Sequence, residues 1–86
     1  MVVMPYEIFY KPSAVKELEG LPREAQAKVL KAIESIKEGD FFKVEKLRGV
    51  EGFYRSKRAW PYRILFVIEG RNMRITNIVH RQGAYR

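Results

Sequence analysis

At 86 residues the chain has room for one domain with one hydrophobic core and too little surface to bury for two. It carries no cysteine, which excludes a disulfide framework, a thiol nucleophile and a thiolate metal site, and its longest unbroken apolar run, Ile64 to Ile68, falls far short of the roughly 20 residues that cross a bilayer. The formal net charge of +7 is unevenly spread: six basic residues face seven acidic ones in residues 1–40, and eleven face three in residues 41–86, so the cationic field belongs to the second half and points to a polyanionic partner, nucleic acid or an acidic protein.

The opening segment MVVMPYEIFYKPS is apolar, but no basic leader precedes it and Pro5, Glu7 and Lys11 interrupt it, so an intracellular, cytoplasmic protein is expected. Within it, residues 5–11, PYEIFYK, are rich in aromatic and β-branched types and read as a first strand that Pro12 ends. Ser13 is a suitable N-cap for a short helix through about Glu19, with Val15 and Leu18 on one face and Gly20 as the stop. Pro22, tolerated at a first helical position, opens a second helix that runs to about Glu38 and ends at Gly39. Its Ala25, Val29, Ala32, Ile33 and Ile36 recur at helical spacing, so the two helices form a hairpin with one apolar side.

From Lys46 onward the period becomes extended. Turn signals at Gly49 to Gly52, Ala59 to Pro61 and Glu69 to Asn72 leave strands near residues 53–58, 62–69 and 73–80, joined as successive antiparallel hairpins in a single domain spanning residues 1–86. The run Ile64-Leu65-Phe66-Val67-Ile68 does not alternate; it is apolar on both faces and reads as a central strand covered on both sides. One helical hairpin covers one face only. The other is closed either by aromatic residues such as Trp60, Tyr62 and Tyr85 or by a partner chain.

Arg55 and Lys57 are two apart on one strand and point to the same face, Arg63 starts the adjacent strand across a tight turn, and Arg81 ends the next. If strand 62–69 lies between its neighbours, these four cations converge near one end of the sheet, where they repel one another unless an anion sits among them. A phosphodiester is suited to that place, since Arg offers it paired donors and Lys a mobile point charge. The alternative is a solvated edge guarded by basic side chains against aggregation. Beyond Glu51 only Glu69 remains in the C-terminal part of the chain, too few carboxylates for a catalytic metal, and no metal or cofactor is expected.

RNA offers a metal-free route to cleavage in which its own 2′-OH attacks the neighbouring phosphate while the protein supplies cations, a base and an acid. His80, the only histidine, is a generic candidate for proton transfer, although its parity opposite to Arg81 aims it at the other sheet face, and packing is the commoner fate of a lone histidine. Tyr85, with an ordinary pKa near 10, acts as a base only where surrounding Arg and Lys stabilise the phenolate; it can otherwise stack on a base or pack on the sheet.

The order YEIFYKPSAVKELEGLP, KLRG, GFYRSKRAWPYRILFVI and ITNIVHRQGAYR resembles the RelE/ParE superfamily of toxins from type II toxin–antitoxin systems, over nearly the whole chain. The resemblance implies an α+β fold, with an N-terminal strand and a helical hairpin packed on a mainly antiparallel four-stranded sheet. It also implies ribosome-dependent cleavage of mRNA in the A site by 2′-OH transesterification, leaving a cyclic phosphate and a 5′-OH. Arg55 and Lys57 fall where such toxins place two lysines, and Arg63, Arg81 and Tyr85 on the matching Arg, Arg and Tyr. Arg55 cannot exchange its proton near neutral pH, so proton transfer is left to Lys57, Tyr85 or His80, with Tyr85 the expected base and Lys57 the expected acid. Lys46, Arg48, Arg58 and His80 are expected to contact the RNA around this site. The implied partners are the ribosome, mRNA and an acidic, helix-rich, RelB-like antitoxin in a hetero-oligomer. A ParE-like inhibitor of DNA gyrase without nuclease activity is the alternative within the same fold, and a non-toxic basic binding module lies outside it.

Overall fold

A computed structural model of the chain describes residues 5–81. Five strands and two helices follow in the order β1 (Glu7–Tyr10), α1 (Pro12–Glu19), α2 (Arg23–Lys37), β2 (Val44–Lys46), β3 (Phe53–Ser56), β4 (Tyr62–Glu69) and β5 (Asn72–His80). The sheet order is β1-β5-β4-β3-β2, with β1 parallel to β5 and every other pairing antiparallel. The class is α+β, and β4 is the central strand that its apolar run requires.

The sheet differs from the sequence reading in having a fifth strand. β2 is three residues long, Val-Glu-Lys, and mostly exposed, so it has too little pattern to announce itself; its extended state comes from pairing with β3, not from its own propensity. α1 differs at its start. Pro12, whose fixed φ and missing N–H suit a first helical position, takes that place, so the extended Lys11 is the N-cap. The Ser13 hydroxyl instead donates to the Thr76 carbonyl of β5 at 3.2 Å, pinning the helix to the sheet.

Both helices lie on one face of the sheet. The stripe Ala25, Val29, Ala32, Ile33 and Ile36 of α2 is buried, together with Ala14 of α1, against Ile64, Phe66, Met73, Ile75 and Ile78. At about 1.5–3 kcal/mol for each large side chain buried, these residues supply most of the driving force of so small a domain. Tyr54 stacks on Phe66 with ring centroids 5.6 Å apart, and Phe41 meets the two edge-on at 6.0 and 6.4 Å, filling the side of the core beyond α2.

The other face has no helix over it. Leu65 and Val67 point there and are half-buried, so the doubly apolar β4 is covered by helices on one side only.

A bulge in β5 decides which residues reach that open face. Leu65 pairs with Asn77 but Phe66 pairs with Ile75, so Thr76 is the extra residue. Its hydroxyl donates to the Leu65 carbonyl at 3.2 Å. Before the bulge Met73 and Ile75 face the helices; after it Ile78 and His80 do, while Val79 and the position of Arg81 turn to the open face.

Candidate functional site

The register across β2, β3, β4 and β5 writes out the open face row by row. Glu45, Arg55, Leu65 and Asn77 form one row, and Arg63 and Val79 the next towards the end of the sheet. Lys57 follows Arg55 by two residues, its N–H bonded to the Lys43 carbonyl at 3.0 Å, and Arg81 follows Val79 by two, its N–H bonded to the Pro61 carbonyl at 2.8 Å. All four expected cations therefore lie on one face at one end. The Thr76 bulge is indispensable to this, because uninterrupted alternation along β5 would have placed Arg81 on the helix side.

Two groups hold the cations together. The first is Glu45: Arg55 Nη2 donates to its Oε2 at 2.6 Å and Lys57 Nζ to its Oε1 at 3.2 Å. These hydrogen bonds, Arg55 first and then Lys57, hold the Glu45 carboxyl below its ordinary 4.5, with the two positive charges acting in the same direction. The anion that like charges require is thus supplied by the chain itself.

The second is Trp60. The guanidinium of Arg63, a residue only 6% exposed, lies 5.8 Å from the centre of the indole, and that of Arg81 lies 5.5 Å from it. Trp60, Lys57, Glu45 and Lys43 line a shallow concavity of about 380 Å³.

The remaining expected residues lie elsewhere. Arg58 turns towards α2, where its Nη2 donates to Asp40 at 2.8 Å and its guanidinium sits over Phe42 at 5.9 Å. The Arg58 bond, followed by the Phe42 N–H, holds the Asp40 carboxyl below its ordinary 3.8. With Lys28, Lys31, Ala32 and Ser35, Arg58 lines a second concavity of about 200 Å³. Lys46, the last residue of β2 and paired with Tyr54, and Arg48, in the β2–β3 connection, lie towards the opposite end of the strands and do not join the cluster. His80 is on the helix side, edge-on to Tyr62 with ring centroids 5.4 Å apart, as its parity implied. Tyr85 lies outside the described residues.

The sequence matches no protein-family model and no curated protein. Solved structures do match. A chain of the RelB–RelE antitoxin–toxin complex from Methanococcus jannaschii shares 22% identity, over 90% of this chain and 94% of that one, with a TM-score of 0.76. A chain of the RelBE2 toxin–antitoxin complex from Mycobacterium tuberculosis shares 26%, over 90% and 99%, with a TM-score of 0.62. A chain of the chromosomal ParDE system from P. aeruginosa shares 13%, over 90% and 97%, with a TM-score of 0.69. The chain has the RelE-like toxin fold.

The expected convergence of Arg55, Lys57, Arg63 and Arg81 at one end of the sheet is what this RelE-like fold brings about, and the sequence reading did not anticipate Glu45, Lys43 and Trp60 among them. The signal for Glu45 was a hairpin whose turn centres near Gly49 to Gly52, which sets Glu45 opposite Arg55 once the short β2 is recognised. Among the described residues no group of three or more His, Asp or Glu side chains is placed to hold a metal ion.

Proposed function

We propose that this chain is the toxin of a type II toxin–antitoxin system and an endoribonuclease that cleaves mRNA on the ribosome. The observation that carries the reading is the gathering of Arg55, Lys57, Arg63 and Arg81 around Glu45 and Trp60 on one end of one sheet face. Four such groups have no structural need of one another, and a fold built for stability alone would disperse them.

In the proposed reaction the 2′-oxygen of the nucleotide 5′ to the cut attacks the adjacent phosphorus. The bond from phosphorus to the 5′-oxygen breaks, leaving a 2′,3′-cyclic phosphate and a 5′-OH. Arg63 and Arg81 hold the non-bridging oxygens and offset the charge that grows on them, a contribution of roughly 10²–10³ in rate for each well-placed donor. Arg55, always charged, serves the same end. The 2′-OH proton passes to Tyr85, or to Glu45, an ionised carboxylate already inside the cluster; Lys57 gives a proton to the departing 5′-oxygen. Every group in this scheme comes from the chain or the RNA.

An acidic, helix-rich antitoxin fits the same reading, since it neutralises the cations and covers the half-buried Leu65 and Val67 of the open face in a hetero-oligomer. The likeness to the ParDE chain keeps a second reading, inhibition of DNA gyrase without cleavage. Induced expression separates the two. Under the nuclease reading, primer extension on mRNA with purified ribosomes gives discrete new 5′ ends for wild type and far fewer for Arg81→Ala, and loss of them in Tyr85→Phe or in Glu45→Gln identifies the base. Intact mRNA together with loss of plasmid supercoiling refutes it and establishes the other.

A further inference from the structure

Trp60 is 44% exposed and stands within the basic cluster, on a loop that is unusually well tied down. Lys28 Nζ donates to the Trp60 carbonyl at 3.0 Å, the Tyr62 N–H to the Ala59 carbonyl at 2.8 Å, and the Arg81 N–H to the Pro61 carbonyl at 2.8 Å. Ala59, next to it, is fully buried. An exposed indole on a loop fastened at both sides is a preorganised surface, because little conformational freedom remains to be lost when something settles on it.

We propose that Trp60 is the stacking platform for a nucleobase next to the phosphate held by Arg63 and Arg81, a binding residue that sets where the strand lies. The inference rests on the RNA reading above and deepens it. The concavity of about 380 Å³ that Trp60 lines with Lys43, Glu45 and Lys57 is within the size range of small-ligand sites, enough for a single nucleotide. Single-stranded nucleic acid is held by pairing a cationic groove for the backbone with aromatic rings for the bases, and Trp60 brings both together, with two guanidiniums 5.5 and 5.8 Å from its ring. Stacking is tolerant of sequence because every base has a π-face, so the platform favours single strands over duplex and places little demand on base identity.

Trp60 is the only tryptophan in the sequence, which makes it its own reporter. Titration of the wild-type protein with an uncleavable 2′-deoxydinucleoside monophosphate is expected to give saturable quenching of its fluorescence. Inorganic phosphate at matched ionic strength is expected to leave the fluorescence unchanged. By calorimetry Trp60→Leu weakens the dinucleotide about tenfold or more, Trp60→Phe restores most of the affinity, and Phe42→Leu, which removes another exposed ring with cations over it, has no effect. Absence of saturable quenching, equal quenching by phosphate, an unweakened Trp60→Leu, or quenching by an acidic peptide but not by the dinucleotide overturns the proposal. Dinucleotide binding through Trp60 without mRNA cleavage leaves the platform standing and removes the nuclease reading. Cleavage indifferent to Trp60 does the reverse.

Discussion

The two faces of this sheet are written by alternate residues of the same strands, yet they differ in every physical respect. On the helix side Ile64, Phe66, Met73, Ile75 and Ile78 are almost wholly enclosed and form one apolar cluster with the buried face of the helices. One residue away on each strand, Arg55, Arg63 and Val67 face outwards, and the end that holds Arg81 is charged, concave and built around an internal anion. Alternation lets one short chain keep an apolar core on one side and a cluster of charges on the other, so that a change on either face is felt mainly there. The bulge at Thr76 is the point where the division is set for β5.

Inserting one residue between Asn77 and Ile78 attacks that division directly and has the largest expected effect, whereas deleting Thr76 would only close the bulge and leave the facing of residues 77–81 as it is. With the bulge kept, residues 78–81 would slip by one place, turning Ile78 and its N–H bond to Glu17 Oε1, 2.9 Å long, out of the helix side and bringing Arg81 in. Loss of a cooperative thermal transition is expected, together with loss of phosphate and nucleotide binding. Thr76→Val keeps the residue count and sacrifices only the hydroxyl bond to Leu65, about 1 kcal/mol, with the site intact. An insertion variant that melts cooperatively with Arg81 still beside Trp60 would show that the register does not govern the site.

Next in size is a pair of substitutions chosen one on each face. Phe66→Ala removes a ring enclosed by Tyr54, Phe41 and the helices and is expected to cost about 3–5 kcal/mol, lowering Tm by more than about 10 °C. Arg81→Ala, on an exposed side chain, is expected to move stability by no more than about 0.5 kcal/mol. The same Arg81 change should depress mRNA cleavage by roughly 10²–10³. Circular dichroism melts beside single-turnover cleavage read both axes. If the two variants lose stability equally, the faces are not independent.

How much of this was legible in the sequence follows the same line. The helices, the central strand and the cations on β3 and β4 were readable because each rests on a period, a breaker or a parity count within one element: the α2 stripe is buried as spaced, and Tyr62–Glu69 has the bounds its turns implied. What escaped needed two elements at once. β2 is extended only because β3 pairs with it, and Glu45 matters only because that pairing sets it opposite Arg55. The bulge at Thr76 leaves no mark in composition, since threonine suits a regular strand equally well. Arg58 sits in the same stretch as Arg55 and Lys57, yet Asp40, eighteen residues earlier, draws it to the helices.

The smallest expected effect concerns the anion that the open face carries within itself. Because Arg55 and Lys57 hold the Glu45 carboxyl below its ordinary 4.5, the stabilisation from these contacts is fully present above that pH and is lost as pH falls through the lower folded value. Asp40, held down by Arg58, adds a loss of the same sign, so acid weakens both faces. Anion binding runs the other way. Protonating Glu45 removes a competitor from between Arg55 and Lys57, whereas a phosphodiester keeps its charge, so affinity for the deoxydinucleotide should rise as pH falls through the lowered Glu45 value while the protein remains folded. Glu45→Gln should reproduce that gain at pH 7, by about fivefold, and flatten its pH dependence, while retaining the share of acid sensitivity that belongs to Asp40. Calorimetric titration from pH 7 down to the acid limit of the folded protein reads the effect, and a Glu45→Gln protein that binds no more tightly than wild type at pH 7 would mean that the carboxylate helps to seat the nucleotide and does not compete with it.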